Sequence, residues 1–571
     1  MSAQIWRVDV GTGHITYEEV PETWARLGGR ALGARILLDE VPATCEPLGP
    51  QNKLIFAPGT LVGHMVSSCD RISVCGKSPL TGGVKEANAG GSTGLKLVWL
   101  GIHALIIEGQ PADPSTRTLL HLSKNEARLE PADDLAGLGV HAAAVRLLQR
   151  FGRKVGVVVI GPGGEMQMAT AGVMHLDKDR VPARISARGG LGAVMGSKGL
   201  KAIVIDEAGT TKPPLAQRSL FNSARKRYLK SLQEHPQTGQ IYPLYGTAAM
   251  VAMCNSKGGI PTRNFSAGRF EQAGQISGEM LHDLIAQRGG DGVHDHACMA
   301  GCIIRCSNVF ADSSGKTIVS PIEYETIGLM GSNLGIDSLD AIGALNAEAN
   351  DLGLDTIEIG AALGVAAEAG LMEWGDGQRA LELMDEIRRG TVLGRVLGGG
   401  AALAGRVLGV TRVPVVKNQA ISAYDPRAIK GTGVTYATSP QGADHTAGLT
   451  IRANIDHTKP EGQARVSKGA QINMAGYDSL GICVMGGFGF GQDFTMVRDL
   501  VNGRYGWDVG DDYLQQVGRE TLRLEREFNR RAGFTAAHDR LPEWMTSEPL
   551  PPVDTVFDVP AEELDTLFDD L

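Results

Sequence analysis

A basic surplus is missing from this chain. Its 571 residues carry a formal net charge of -9, with both signs interspersed. That excludes the basic face a nucleic-acid-binding protein needs. Long apolar runs are missing too: no stretch of about 18 apolar residues could form a transmembrane helix. The start, Met-Ser-Ala-Gln-Ile-Trp-Arg-Val-Asp-Val, lacks the apolar core of a signal peptide. Cysteine is scarce, at eight residues, and three of those fall within nine positions. Glycine is not scarce. At 76 of 571 residues it is nearly double the usual ~7%. It has no Gly-X-Y period, which excludes collagen, and Pro is ordinary. Such a chain packs backbone closely against backbone or against a large ligand.

What is present starts with Cys298-Met-Ala-Gly-Cys302-Ile-Ile-Arg-Cys306, three thiols in nine residues. Clustered thiolates are soft ligands that select zinc or an iron–sulfur centre. Three ligands close neither, so a fourth is required. His294 and His296, just upstream, would complete a zinc site. Cys483, in Asp478-Ser-Leu-Gly-Ile-Cys483, would instead bring two distant parts of the chain to one centre. The spacing leaves both open. Clustered free thiols suit a reducing compartment, so the expected location is the cytoplasm.

Residues 1–205 read as strands and turns, with apolar runs at 5–10, 54–57, 71–75, 104–108, 157–160 and 202–205. Two Gly-rich stretches, 77–94 and 187–198, read as loops whose backbone N–H groups could approach phosphates, balanced by Arg and Lys. Gly161-Pro-Gly-Gly-Glu-Met166 fails the dinucleotide fingerprint at Met166. Leu215, Ser219, Leu220, Ala224, Tyr228 and Leu232 trace one face of an amphipathic helix. The stretch 245–254 reads as a helix ending before Gly258-Gly259. Pro321-Ile-Glu323-Tyr-Glu325-Thr reads as extended by its alternation, which would put Glu323 and Glu325 on one side. Residues 341–406 are helical in spacing, as is 521–531. The acidic tail from Pro551 is expected to dock loosely or not at all. The fold class is therefore α+β: a β-rich cofactor-binding domain over 1–205, then mainly helical domains over 206–415, with the cysteine run, and 416–571, with Cys483. One internal echo links Asn350-Asp-Leu-Gly-Leu-Asp355 to Asp478-Ser-Leu-Gly-Ile-Cys483. It suggests two equivalent loops facing two halves of one ligand.

Jointly, several motifs resemble the tungsten-dependent aldehyde:ferredoxin oxidoreductase family, over nearly the whole chain. They are Lys77-Ser-Pro-Leu-Thr-Gly, Ala187-Arg-Gly-Gly-Leu-Gly-Ala-Val-Met-Gly-Ser-Lys, Glu323-Tyr-Glu-Thr, Tyr436-Ala-Thr-Ser, the two echoing loops and Glu525-Arg-Glu-Phe-Asn529. The resemblance implies a tungsten (or molybdenum) ion held by two pterins, a bridging magnesium and a [4Fe–4S] cluster on Cys298, Cys302, Cys306 and Cys483. The family's first cysteine gap is two residues; here it is three. It implies Arg71, Asn88, Arg188 and Gly189 at the pterin phosphates and magnesium. Asn350, Asp355, Asp478 and Ile482 fall in the loops that hold the pterin rings. It implies aldehyde oxidation, with Glu323 or Glu325 as base, His445 on the substrate oxygen and Tyr424 assisting. Electrons would leave to ferredoxin or an iron–sulfur partner subunit, and an oligomer is compatible with it. A same-family reductase acting on an acid or an aromatic thioester, and a non-catalytic metal scaffold, are the rival readings. No His stands between His296 and His445, so the iron that some members bind between subunits is not expected.

Overall fold

The computed structural model describes residues 3–124 and 126–571. Its first part is two copies of one unit. The first copy has β1 (Gln4–Asp9), β2 (Ile15–Glu19), β3 (Leu54–Pro58), β4 (Ile72–Lys77), β5 (Val84–Ala89) and β6 (Ile102–Glu108), in sheet order β2-β1-β6-β3-β4-β5. The second has β7 (Thr118–Ser123), β8 (Glu126–Pro131), β9 (Gly156–Val159), β10 (Val173–Leu176), β11 (Pro182–Ser186) and β12 (Leu200–Ile205), in order β8-β7-β12-β9-β10-β11. Each strand of one sheet has its counterpart in the other. Among the described residues only the β1–β6 and β7–β12 pairs are parallel. Each copy carries a helix after its second strand, Gly29–Glu40 and Val140–Phe151, and another after its fifth, Thr93–Trp99 and Leu191–Ser197. The edge strands β5 and β11 lie against each other.

The six expected strands form, because apolar runs between Gly and Pro punctuation bury well on both faces. The Gly-rich stretches are more ordered than expected. Residues 77–94 hold β5 and the start of the helix Thr93–Trp99. In 187–198 a short turn carries Gly189 and Gly190, at φ of +82° and +79°, before the helix Leu191–Ser197. Positive φ is what makes both positions glycine.

Helices make up most of the remainder, as the spacing over 341–406 and 521–531 predicts. The segment 321–326 is not extended. Glu323 is the N-cap residue of the helix Tyr324–Met330, whose first N–H, Tyr324 N, donates to Thr247 Oγ1 (3.0 Å). The alternation spans too few residues to define a strand. Ile327 and Met330 instead supply a buried helical face, with Ile322 buried just ahead of the helix.

The acidic tail docks firmly. Phe557, Val559, Leu564, Leu567 and Phe568 are all buried, and Phe557 N donates to Met545 O (2.8 Å). The Phe557 ring sits so close to Gly433 that a Cβ there would come within 2.7 Å of it. Lys430 pairs with Asp558. Acidic residues between apolar ones had masked that stripe. Phe557→Ala is expected to cost about 3 kcal/mol, as for other truncations of well-packed aromatics. A chemical-denaturation midpoint equal to wild type would refute this packing.

Candidate active site

A cavity of about 620 Å³ lies over the β5–β11 junction. Its floor comes from Glu86–Ala89 on β5 and Ala183–Ile185 on β11, and its walls from the helical part. Two helices approach it in equivalent ways. The helix Leu339–Leu352 ends at Gly353 (φ +72°), and the helix Gln463–Leu480 at Gly481 (φ +78°). Gly353 O accepts from Gly172 N (2.9 Å), just before β10. Gly481 O accepts from Arg71 N (3.1 Å), just before β4. The echoing loops thus occupy equivalent places on the two sheets, and the left-handed cap explains the shared glycine.

Around each loop stands a cation. Arg71 donates to the side-chain and backbone oxygens of Asn88, the latter at 3.1 Å, and Asn88 Nδ2 donates to Asp478 Oδ1 (3.0 Å). On the other side Arg188 Nε donates to Asp355 Oδ2 (3.3 Å) and its Nη1 to Ser422 Oγ (3.0 Å). Burial opposes the charge on Arg188, but Asp355, Asp444, Glu358 and Glu325 outweigh it and raise its pKa. Asp355 also N-caps the helix Thr356–Glu368. Arg71, Asn88, Arg188, Asn350 and Asp355 line the cavity. Asp478, Gly189 and Ile482 do not. Asp478 is one residue behind Asn88, tied to Arg30 (3.2 Å). Gly189 O accepts from Ser78 Oγ (2.7 Å). Ile482 packs among Leu480 and Met474.

At one end stand the thiols. Cys298, Cys306 and Cys483 line the cavity, and Cys302 Sγ lies 3.9 Å from Ser68 Oγ. Ser68 O also accepts from Cys483 N (2.7 Å), so one residue holds both chain segments together. Burial, then the charges of Cys483, Cys298 and Cys302, push the Cys306 thiol far up. Burial likewise raises Cys298 to about 12. Buried thiols such as Cys298 and Cys306 become thiolates only beside a cation. A Cβ on Gly90 would meet Cys298 Sγ at 3.0 Å, so the sheet also leaves room for this group. The histidines just upstream do not join the thiols. His296 pairs with Asp179 (2.8 Å), and His294 sits edge-on to His282.

Toward the helical wall stands Glu325. Its Oε2 accepts from Ala423 N (2.8 Å). Its Oε1 is buried, 3.4 Å from His445 Nε2 but, among the described residues, with no hydrogen bond. Burial raises its pKa against the pull of His445. Ser422 Oγ is 3.2 Å from His445 Nδ1, which fixes the ring. Tyr424, buried, stacks at a tilt 6.1 Å from that ring. Glu323 also lines the cavity, but its side chain is 41% exposed and lies 3.5 Å from Arg184. The helix start therefore separates the two carboxylates that an extended segment would have kept together.

Sequence reasoning missed three groups. Lys85 pairs with Asp444 (2.7 Å), and burial notwithstanding, Lys85 and Arg188 hold Asp444 far below the usual carboxylate range. Arg30, fully buried, joins Asp478 to Glu525. Arg452 lines the cavity with its guanidinium against Tyr242 and Phe488, 5.8 and 5.7 Å from their centroids. Among the described residues it has no acidic partner. The only local signal was a basic residue in an otherwise apolar segment.

A duplicated sheet unit, a cavity at its junction and a thiol cluster at one end define a class of oxidoreductase. The chain belongs to the aldehyde ferredoxin oxidoreductase family: residues 5–207 match the family's N-terminal domain, and 223–570 its domains 2 and 3. It is 33% identical to the tungsten-containing aldehyde ferredoxin oxidoreductase of Thermococcus kodakarensis, over 95% of this chain and 91% of that protein. It is 25% identical to an aliphatic sulfonate oxidoreductase, WOR-like subunit, of Pyrococcus furiosus, over 87% and 81%. The fold is shared with the active-site complex BamBC of benzoyl coenzyme A reductase, at TM-score 0.80 and 19% identity over 95% of this chain and 90% of that one. Among the described residues no helix is long and apolar enough to cross a membrane.

Proposed function

We propose that this chain oxidises aldehydes to carboxylic acids at a tungsten or molybdenum bis-pterin centre, with a [4Fe–4S] cluster carrying electrons out to ferredoxin or an iron–sulfur partner subunit in the cytoplasm. The observation that carries this is the pair of equivalent loops, each with its cation, on either side of one cavity with four thiols at its end. A ligand made of two like halves fits that arrangement; a single nucleotide does not use both sides.

The residues present fit these groups. Cys298, Cys302, Cys306 and Cys483 would hold the cluster. Arg71 and Asn88 on one side, and Arg188, Asn350 and Asp355 on the other, would hold the pterins, with Asp478 fixing Asn88 from behind. Of the positions expected to hold magnesium, Asn88 faces the cavity and would hold it, whereas Gly189 stands outside it. Bound there, the centre supplies the two-electron chemistry and releases electrons singly.

The chain's own residues handle substrate and protons. Aldehyde plus water gives acid, two protons and two electrons, so a base is required. Glu325 is that base. Ala423 N–H fixes one carboxylate oxygen and leaves the other toward His445 and the cavity. His445, oriented through Ser422, offers Nε2 to the substrate oxygen. Tyr424 walls that side and keeps water from it. Glu323 serves the opposite rim with Arg184. Arg452, a cation without an acid, suits the carboxylate product.

The test is an acceptor assay. With purified holoenzyme, simple aldehydes should drive reduction of a viologen dye or of ferredoxin, with stoichiometric acid formed. Turnover only in reverse, or only with a thioester, would replace this reading by the reductase one. That alternative has one specific support, the shared fold with the benzoyl coenzyme A reductase complex.

A further inference from the structure

Away from the cavity, the turn after β10 meets the strand Val293–His296 that leads into the cysteine run. Asp177 follows β10 and is fully buried. Its Oδ1 accepts from the backbone N–H of Asp179 (2.8 Å) and of Val181 (3.0 Å), which shapes the turn. Its Oδ2 is equally buried and, among the described residues, has no hydrogen-bond partner. That oxygen lies 3.7 Å from His296 Nε2, which is 2.8 Å from Asp179 Oδ2. All three atoms are within 4.8 Å of one another. His296 is 8% exposed, while the Asp179 side chain is half-exposed and offers a way in from solvent.

A buried carboxylate oxygen with no donor is costly, and native proteins satisfy nearly all such atoms. A histidine next to it, turned toward a second carboxylate, supplies one nitrogen and two anionic oxygens. Ligands about 2.0–2.2 Å from a tetrahedral ion stand about 3.3–3.6 Å apart, and the observed 2.8 and 3.7 Å bracket that spacing. The donor set holds no thiolate, which disfavours soft ions and suits a borderline divalent one. The nearest competing charge is Lys178, whose Nζ pairs with Asp179 Oδ2 (2.6 Å) from the solvent side. An incoming ion can displace that exposed contact.

We propose that Asp177, Asp179 and His296 form a structural divalent-cation site, best suited to Zn²⁺ with water as fourth ligand. It would pin the β10–β11 turn of the second sheet unit to the strand two residues ahead of Cys298. It is independent of the reaction assigned to the cavity.

The test is calorimetric titration of EDTA-washed holoenzyme with ZnCl₂, alongside Asp179→Asn and His296→Gln. Wild type should bind one zinc per chain, and each variant should bind it at least tenfold more weakly. Zinc should raise the thermal midpoint of wild type alone. Asp179 is exposed and shapes no turn with its side chain, so Asp179→Asn decides the matter if His296→Gln fails to fold. Binding unaltered in the variants, or no binding in wild type, overturns the site and leaves a histidine–aspartate ion pair.

Discussion

Glu325→Gln is expected to lower kcat by about 10²-fold or more while KM changes little, the loss typical of removing a positioned general base. The substitution is nearly isosteric, and a glutamine oxygen still accepts from Ala423 N–H. Loss of activity would therefore report lost proton transfer rather than lost structure. The pH profile separates the two further. Burial raises the Glu325 pKa above the ordinary 4.5, so the base is lost by protonation as pH falls through that raised value. Wild-type activity should fall on the acid side through this limb, and the variant's residual activity should lack it. A variant that keeps the acid limb at wild-type height would remove Glu325 from the chemistry.

Cys483→Ser should bleach or shift the visible absorption of the cluster. It should also cut aldehyde-dependent reduction of the external acceptor by more than the ~10–100-fold that even an outer-shell change costs a metal site. The reason is spatial. Cys483 N is tied to Ser68 O, and Cys302 Sγ lies beside Ser68 Oγ, so this cysteine closes the group from a remote part of the chain. A spectrum and turnover unchanged from wild type would mean that the thiols converge without sharing a centre.

Much of this was legible in residue order. The cysteine run announced a soft-ligand site, and the echo between Asn350–Asp355 and Asp478–Cys483 marked two helix ends that cap identically at Gly353 and Gly481. The duplication beneath them was not legible. Strands such as β4 and β12 are buried on both faces, so they share no polar pattern that would align them. Glu323 and Glu325 were misplaced because four alternating residues cannot tell a strand from a capped helix start. The tail was misjudged because its acidic residues hide a stripe of Phe, Val and Leu. Lys85–Asp444 and Arg30–Glu525 join residues hundreds of positions apart, which no local pattern reveals.

On the proposed function, one cavity holds a two-pterin heavy-metal centre wired to four thiols. Elemental and pterin analysis of the purified protein tests it most directly. The expected result is tungsten or molybdenum with about four iron atoms and two pterins for each. Iron or zinc with neither tungsten nor molybdenum, from cells supplied with both, would contradict it.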